Sequence, residues 1–156
     1  AIIKGVESFR GFDNRFEIKK INDGLGEFIS DCYNASPESM KAAILAFEQI
    51  KTLNTKIAIL GEMKELGERE LFWHRQVGRV LNRALSLKHL ILVGKNARLM
   101  ARRAPINLEI KYADDWKQAK EVLGQILQSN KDKESLVLVK ASHSIGLENI
   151  VAEFSK

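Results

Sequence analysis

Phe28-Ile29-Ser30-Asp31-Cys32-Tyr33-Asn34-Ala35-Ser36-Pro37-Glu38-Ser39-Met40 is the stretch that decides the fold class. A short apolar run ends in an acid, a Tyr-Asn pair and a small-residue turn, and a helix then opens at a proline. Ser36 is a suitable N-cap, and Pro37 suits the first helical position, where its missing N–H is not needed. A strand passing directly into a helix is the building unit of α/β proteins. Its junction lies at the carboxyl edge of the sheet, where ligands bind.

Outward from this junction the same unit recurs. Ile57-Ala58-Ile59-Leu60, Leu90-Ile91-Leu92-Val93 and Leu136-Val137-Leu138-Val139 are short and continuously apolar, as strands buried on both faces of a parallel sheet read. Helix-period segments lie between them: Met40, Ala43, Ile44 and Phe47; Trp73, Val77, Val80, Leu81 and Ala84; Trp116, Ala119, Leu123 and Ile126; Leu147, Ile150, Val151 and Phe154. Asp114 or Asp115 is placed to cap the third of these helices. Residues 16–21 alternate apolar and polar, and Asn22-Asp23-Gly24 turns the chain into 26–30, which reads as a β-hairpin at the sheet margin. The expected fold is α/β and Rossmann-like: a mostly parallel open sheet with helices on both faces and an N-terminal β-hairpin. Residues 1–15 show no periodicity and read as a lead-in or hinge, leaving 16–156 as the domain.

Composition narrows the function classes. The 156 residues are 45% hydrophobic and 29% charged, the balance of an ordinary one-domain chain. No apolar run approaches the roughly 18 residues of a membrane span, and no signal-peptide pattern opens the sequence. A start at Ala1 without Met reads as a fragment or processed chain. The single cysteine, Cys32, cannot form an internal disulfide, and a cytoplasmic location is the simpler expectation. A net charge of +5 raises the question of an anionic partner. The basic residues read as interleaved with acids, and Arg98, Arg102 and Arg103, the densest cluster, read as a solvated face of a short helix. Without a stacking aromatic or a nucleic-acid motif, no nucleic-acid partner is expected.

Four strand ends are chemically loaded: Asp31-Tyr33-Asn34, Gly61-Glu62-Met63, Gly94-Lys95-Asn96, and Lys140-Ala141-Ser142-His143-Ser144. Each residue also has a plainer reading. Asp31 can tie down a turn, Asn34 can tolerate a left-handed turn conformation, and Glu62 can be solvated. His74 reads as a satisfied surface or boundary histidine, and His89 has no evident partner. Ser142 lacks the Gly-x-Ser-x-Gly context of a hydrolase nucleophile, and Cys32, with no activating base, reads as a buried structural thiol. The dispersed His and Cys residues give no metal-ligand spacing. No Gly-x-Gly-x-x-Gly or Gly-x-x-x-x-Gly-Lys-Ser/Thr loop occurs, which argues against a self-contained dinucleotide or P-loop site.

The residues resemble one family. Asp31-Cys32-Tyr33-Asn34-Ala35-Ser36-Pro37-Glu38-Ser39-Met40 resembles the D-x-Y-N-A-N-P-x-S-M signature of the Mur ligases that add D-alanyl-D-alanine. Leu60-Gly61-Glu62-Met63-Lys64-Glu65-Leu66-Gly67 resembles their L-G-D-M-x-E-L-G, and His74-Arg75-Gln76-Val77-Gly78 their H-x-x-V-G. Val139 to Glu148 resembles V-K-G-S-R-x-M-x-L-E, and Asn14-Arg15 the G-R that ends the hinge. The match corresponds to the C-terminal third of such enzymes, without their N-terminal UDP-sugar domain and central P-loop domain. The resemblance implies ATP-dependent amide formation: a peptide carboxylate is phosphorylated, and the amine of D-alanyl-D-alanine attacks the acyl phosphate. ATP and Mg2+ would serve the full-length enzyme, and this domain alone would hold neither. The partners implied are D-alanyl-D-alanine, UDP-N-acetylmuramoyl-tripeptide and the enzyme's own central ATPase domain.

By the same resemblance, Arg15, Asp31, Tyr33 and Asn34 would face the nucleotide, with Asp31 accepting hydrogen bonds from the ribose. Glu62, Lys140, Ser142 and His143 would face the incoming substrate. The sequence departs from the pattern at Asn14, Ser36, Ala141 and Ile145, and at Glu62, which adds a methylene to the family's aspartate. His143 stands where the family has arginine, exchanging a five-donor guanidinium for an imidazole of variable charge. Two rival expectations are a related Mur or folylpolyglutamate-type ligase, against which Tyr33-Asn34-Ala35 argues, and a free-standing Rossmann-like binding module.

Overall fold

A computed structural model describes residues 16–156, so the lead-in with Asn14 and Arg15 lies outside the described residues. Ten regular elements follow one another: β1 (Glu17–Ile21), β2 (Gly26–Asp31), α1 (Pro37–Gln49), β3 (Thr55–Gly61), α2 (Glu70–Leu81), β4 (His89–Val93), β5 (Glu109–Ala113), α3 (Trp116–Ser129), β6 (Ser135–Lys140) and α4 (Glu148–Phe154). Short 3-10 segments cover Asn22–Gly24, Gly67–Arg69, Asn96–Arg103 and His143–Ile145.

The strands form one sheet in the order β1-β2-β6-β3-β4-β5. Only the β1–β2 pair is antiparallel, which is the expected N-terminal hairpin at the sheet margin. The last strand in sequence, β6, inserts between β2 and β3. Its register sets Asp31 directly beside Lys140, and Leu60 beside Lys140 on the other flank.

Residues of the central strands alternate between two cores, as a sheet covered on both faces requires. Ala58, Leu60, Leu90, Leu92 and Leu138 pack under α1, α2 and the Asn96–Arg103 segment with Met40, Phe47, Val77 and Met100. Ile57, Ile59, Ile91, Val93, Val137 and Val139 pack under α3 and α4 with Leu123 and Ile150. The helix starts agree with the capping signals. Ser36 Oγ accepts from the Ser39 backbone N–H at 3.1 Å while Ser39 Oγ accepts from the Ser36 N–H at 3.0 Å, a capping box worth about 1 kcal/mol. Serine therefore does at position 36 what an asparagine cap does. Asp115, not Asp114, caps α3 by accepting from the Gln118 N–H at 2.9 Å.

Several expectations are corrected. His74 is wholly buried rather than at a surface, and His89 has a partner, Glu109, at 3.3 Å. Ala84 is buried but lies beyond the end of α2. The segment carrying Arg98, Arg102 and Arg103 is a short helix as expected, and it is of the 3-10 type. Strand β5 had no counterpart in the apolar runs because, as an edge strand, it buries only Ala113 fully and leaves Glu109, Lys111 and Tyr112 exposed.

Candidate functional site

The parallel strands all end at one edge, so the four loaded junctions become neighbours. Hydrogen bonds then stitch them together in the order of the sheet. At the β2 end, Asp31 Oδ1 accepts from the backbone N–H groups of Tyr33 at 3.2 Å and Asn34 at 3.4 Å. Its Oδ2 receives the Lys140 ammonium at 2.8 Å, and Lys140 Nζ also donates to the Asn34 carbonyl at 2.9 Å. Both charged side chains are almost completely buried, at 1% and 2% exposure. The ammonium also lies 5.5 Å from the Phe16 ring centre. A charge this deep is tolerated only when paired and hydrogen-bonded, and this pair is both.

The next stitch joins β6 to β3. The Ser142 N–H donates to the Glu62 carbonyl at 3.2 Å, and Ser142 Oγ accepts from the Lys64 N–H at 2.8 Å. Ala141, where the family pattern has glycine, is accommodated because Gly61 faces it: a Cβ on Gly61 would lie 2.6 Å from that of Ala141. The third stitch joins β3 to β4. Glu62 Oε2 accepts from the Asn96 N–H at 2.9 Å, and Oε1 pairs with Lys64 Nζ at 3.1 Å. The longer glutamate folds back over Gly94, whose φ of +104° and absent side chain make the room. A fourth bond, from the Gly94 N–H to the Ala113 carbonyl at 2.9 Å, ties β4 to β5.

Over this stitched floor stand the accessible side chains. Tyr33 is 70% exposed, and its ring stacks on His143 with centroids 5.3 Å apart and planes 4° from parallel. That stack bridges the loops after β2 and β6. Asn34, His143 and Ser144 are exposed and Ser142 is half-buried. Of the residues singled out from the sequence, Asp31, Tyr33, Asn34, Lys140, Ser142, His143 and Glu62 are thus brought to one edge, with Asp31, Glu62 and Lys140 buried and the others reachable. Arg15 lies outside the described residues.

His74, read from the sequence as a satisfied surface or boundary histidine, also belongs to this edge. The His74 Nε2 accepts from the Met63 N–H at 3.0 Å, and Nδ1 lies 2.7 Å from the Glu70 carbonyl. The backbone donor and acceptor together set the tautomer, with the proton on Nδ1. His74 therefore clamps the loop after Glu62 to the first turn of α2. Its helix-period place beside Val77 was the available signal. Cys32 is a buried thiol, pushed up to about 12 by desolvation first and by the charges of Glu148 and Asp31 next. Among the described residues no group of three or more His, Cys, Asp or Glu side chains has the arrangement of a metal site, and no helix is long and apolar enough to cross a membrane.

Residues 14–143 match the Mur ligase, glutamate ligase domain family. The chain is 34% identical over 150 residues to the UDP-N-acetylmuramoyl-tripeptide–D-alanyl-D-alanine ligase of Bacillus subtilis (strain 168), covering 96% of this chain and 32% of that protein. It is 30% identical over 148 residues to the ligase of the same name from Mycobacterium leprae (strain TN), covering 86% and 28%. Among solved structures, MurF from Acinetobacter baumannii superposes with a TM-score of 0.76 at 27% identity, over 92% of this chain and 30% of that one. MurF ligase from Thermotoga maritima in complex with ADP does so with a TM-score of 0.68 at 26% identity, over 90% and 30%. The chain spans about a third of the length of the curated relatives it matches.

Proposed function

The chain belongs to the Mur ligase family, through its glutamate ligase domain, and from that premise we propose that it is the C-terminal domain of an ATP-dependent ligase that joins D-alanyl-D-alanine to UDP-N-acetylmuramoyl-tripeptide in peptidoglycan precursor synthesis. The observation that carries the reading is the stitched carboxyl edge, where Tyr33 and Asn34 on one loop meet Ser142 and His143 on another through the Tyr33–His143 stack. A surface that joins two substrates needs two such halves at fixed separation.

In this reading residues 1–15 are the hinge, residues 16–156 the closing domain, and the hinge leads back to a central ATPase domain. Phe16, the first described residue, packs beside Lys140 at this same edge, so a domain ahead of it would adjoin the site. Arg15, Asp31, Tyr33 and Asn34 form the nucleotide half. The exposed phenol ring and the exposed amide of Asn34 suit a base and ribose, while Asp31 is already engaged with Tyr33, Asn34 and Lys140 and retains little open surface. Glu62, Lys140, Ser142 and His143 form the dipeptide half, Glu62 and Lys140 as braces and Ser142 and His143 as contacts. ATP supplies the phosphoryl group that activates the peptide carboxylate. In this reading the Mg2+ that accompanies ATP is held by the central domain. A step fed by ATP and a UDP-linked precursor belongs in the cytoplasm.

Phosphate release from ATP, measured with the UDP-tripeptide and D-alanyl-D-alanine, tests the reading. The chain alone is expected to be silent, and the longer protein with the central domain to turn over. Turnover by the chain alone, or consumption of a single amino acid in place of the dipeptide, overturns it.

A further inference from the structure

We propose that the groove between α2 and the Asn96–Arg103 segment is a binding site for a small polyanion of the di- or triphosphate class. Four arginines line this 460 Å3 cavity: Arg75 and Arg79 from α2, Arg102 and Arg103 from the facing segment. None of the four makes an ion pair or a hydrogen bond with a described residue, whereas nearby Arg98 is taken by Asp114 at 3.1 Å. The chain's net charge is +5, and this one groove gathers four cations.

The local sequence accounts for the lack of partners. Between Glu70 and Glu109 there are eight Lys and Arg and no Asp or Glu. The interleaving of acids and bases seen elsewhere in the chain stops there. A helix terminus attracts basic residues to its last turn, which covers Arg79, Arg102 and Arg103. It does not cover Arg75, which sits one turn before Arg79, where like charges repel. Nor does it explain why two like-charged walls face each other. The walls are held by Gly78: a Cβ there would lie 2.5 Å from the Met100 carbonyl oxygen, so α2 rests directly on the opposite backbone. The glycine that ends the His74–Gly78 motif thus brings the two walls together, and four exposed arginines line the cleft between them.

A ligand with several phosphate oxygens relieves that repulsion. Guanidinium forks match phosphate bidentately, and three or four negative charges balance four cations. The volume suits a small anion, and the lining, completed by Gln76, Gly78 and Leu99, offers no aromatic face on which a nucleobase of a polynucleotide would stack. The cleft lies on the helical flank, away from Tyr33 and His143, so the proposal stands independently of the ligase reading.

Titration calorimetry of the 156-residue chain with inorganic tripolyphosphate, monophosphate, vesicles displaying a bisphosphorylated headgroup, and a short DNA duplex tests the assignment. Tripolyphosphate is expected to bind at least tenfold more tightly than monophosphate, with affinity falling as salt rises. Arg75→Gln/Arg102→Gln should lose about tenfold or more, the scale of charge-assisted hydrogen bonds. Lys131→Gln/Lys133→Gln, which removes the same charge from an exposed turn elsewhere, should lose none. Vesicle binding that also depends on Arg75 and Arg102 supports the site and makes its source a lipid headgroup. Undetectable tripolyphosphate binding, equal loss in both double variants, or tighter binding of duplex than of tripolyphosphate overturns it.

Discussion

Asp31 and Lys140 are adjacent in the register of β2 and β6, and their charged groups meet at 2.8 Å with almost no solvent exposure. The pair also organises the loop that follows, because the same two side chains bind the N–H groups of Tyr33 and Asn34 and the carbonyl of Asn34. The loop that carries the exposed ring of Tyr33 is thus anchored by two charges that are themselves out of solvent.

Lys140→Met leaves the Asp31 carboxylate buried without its cation, and is expected to cost about 3–5 kcal/mol in urea unfolding. Asp31→Leu/Lys140→Met should cost less than the two single changes added together, since neither charge is then stranded. The coupling should be of order 0.5–3 kcal/mol. Additive losses would show that the two side chains act separately.

His74→Leu removes the acceptor of the Met63 N–H and the donor to the Glu70 carbonyl in a fully buried place. An unsatisfied buried group costs about 1–3 kcal/mol. Hydrogen exchange at the Met63 amide should accelerate more than at the β4 amides, because the clamp is local to the loop after Glu62.

These two sites show what was readable in the chain and what was not. The apolar runs of β3, β4 and β6 and the Ser36-Pro37 cap are local signals, and each appeared where its pattern put it. The edge residues were also legible, because strand ends follow from strand positions. Their pairings were not. Asp31 meets Lys140 across 109 residues, and only the insertion of β6 beside β2 makes them neighbours. His74 reads as amphipathic-helix boundary until the loop after Glu62 is folded over it. The engaged state of Glu62 depends in turn on the empty side of Gly94.

The Cys32 thiol, pushed up to about 12, should resist thiol reagents. Near pH 8 its thiolate fraction is on the order of a thousandfold below that of an ordinary cysteine. A disulfide-exchange chromophore should label the native chain at that reduced rate and the denatured chain promptly at one thiol per molecule. Prompt native labelling would show that β2 opens at its end.

Stability should decline as acid is added through the ordinary histidine range. Burial lowers the His89 imidazole from its usual 6.5, and the Glu109 carboxylate offsets this only in part. Above that value the ring is neutral in both states and the full stability is present. Below it the unfolded chain takes up a proton that the folded chain resists, so stability falls until the lowered native value is passed. His89→Phe should flatten this limb of the unfolding free energy against pH, whereas an unchanged slope would assign it to other groups.

Gly94→Ala tests how Glu62 is seated. A backbone at φ +104° costs a side-chain-bearing residue about 1–3 kcal/mol by itself. A second cost is steric, because the new Cβ would lie 2.6 Å from the Glu62 carboxyl carbon. Glu62→Ala removes both the Cγ and the carboxyl carbon, each 2.6 Å from the new Cβ, so it should relieve the steric part and leave the backbone part. The double substitution is therefore expected to be more stable than Gly94→Ala alone, even though Glu62→Ala alone loses the bond to the Asn96 N–H. Were the two costs simply to add, Glu62 would be shown not to fold over Gly94, and the brace between β3 and β4 would have to be sought elsewhere on the edge.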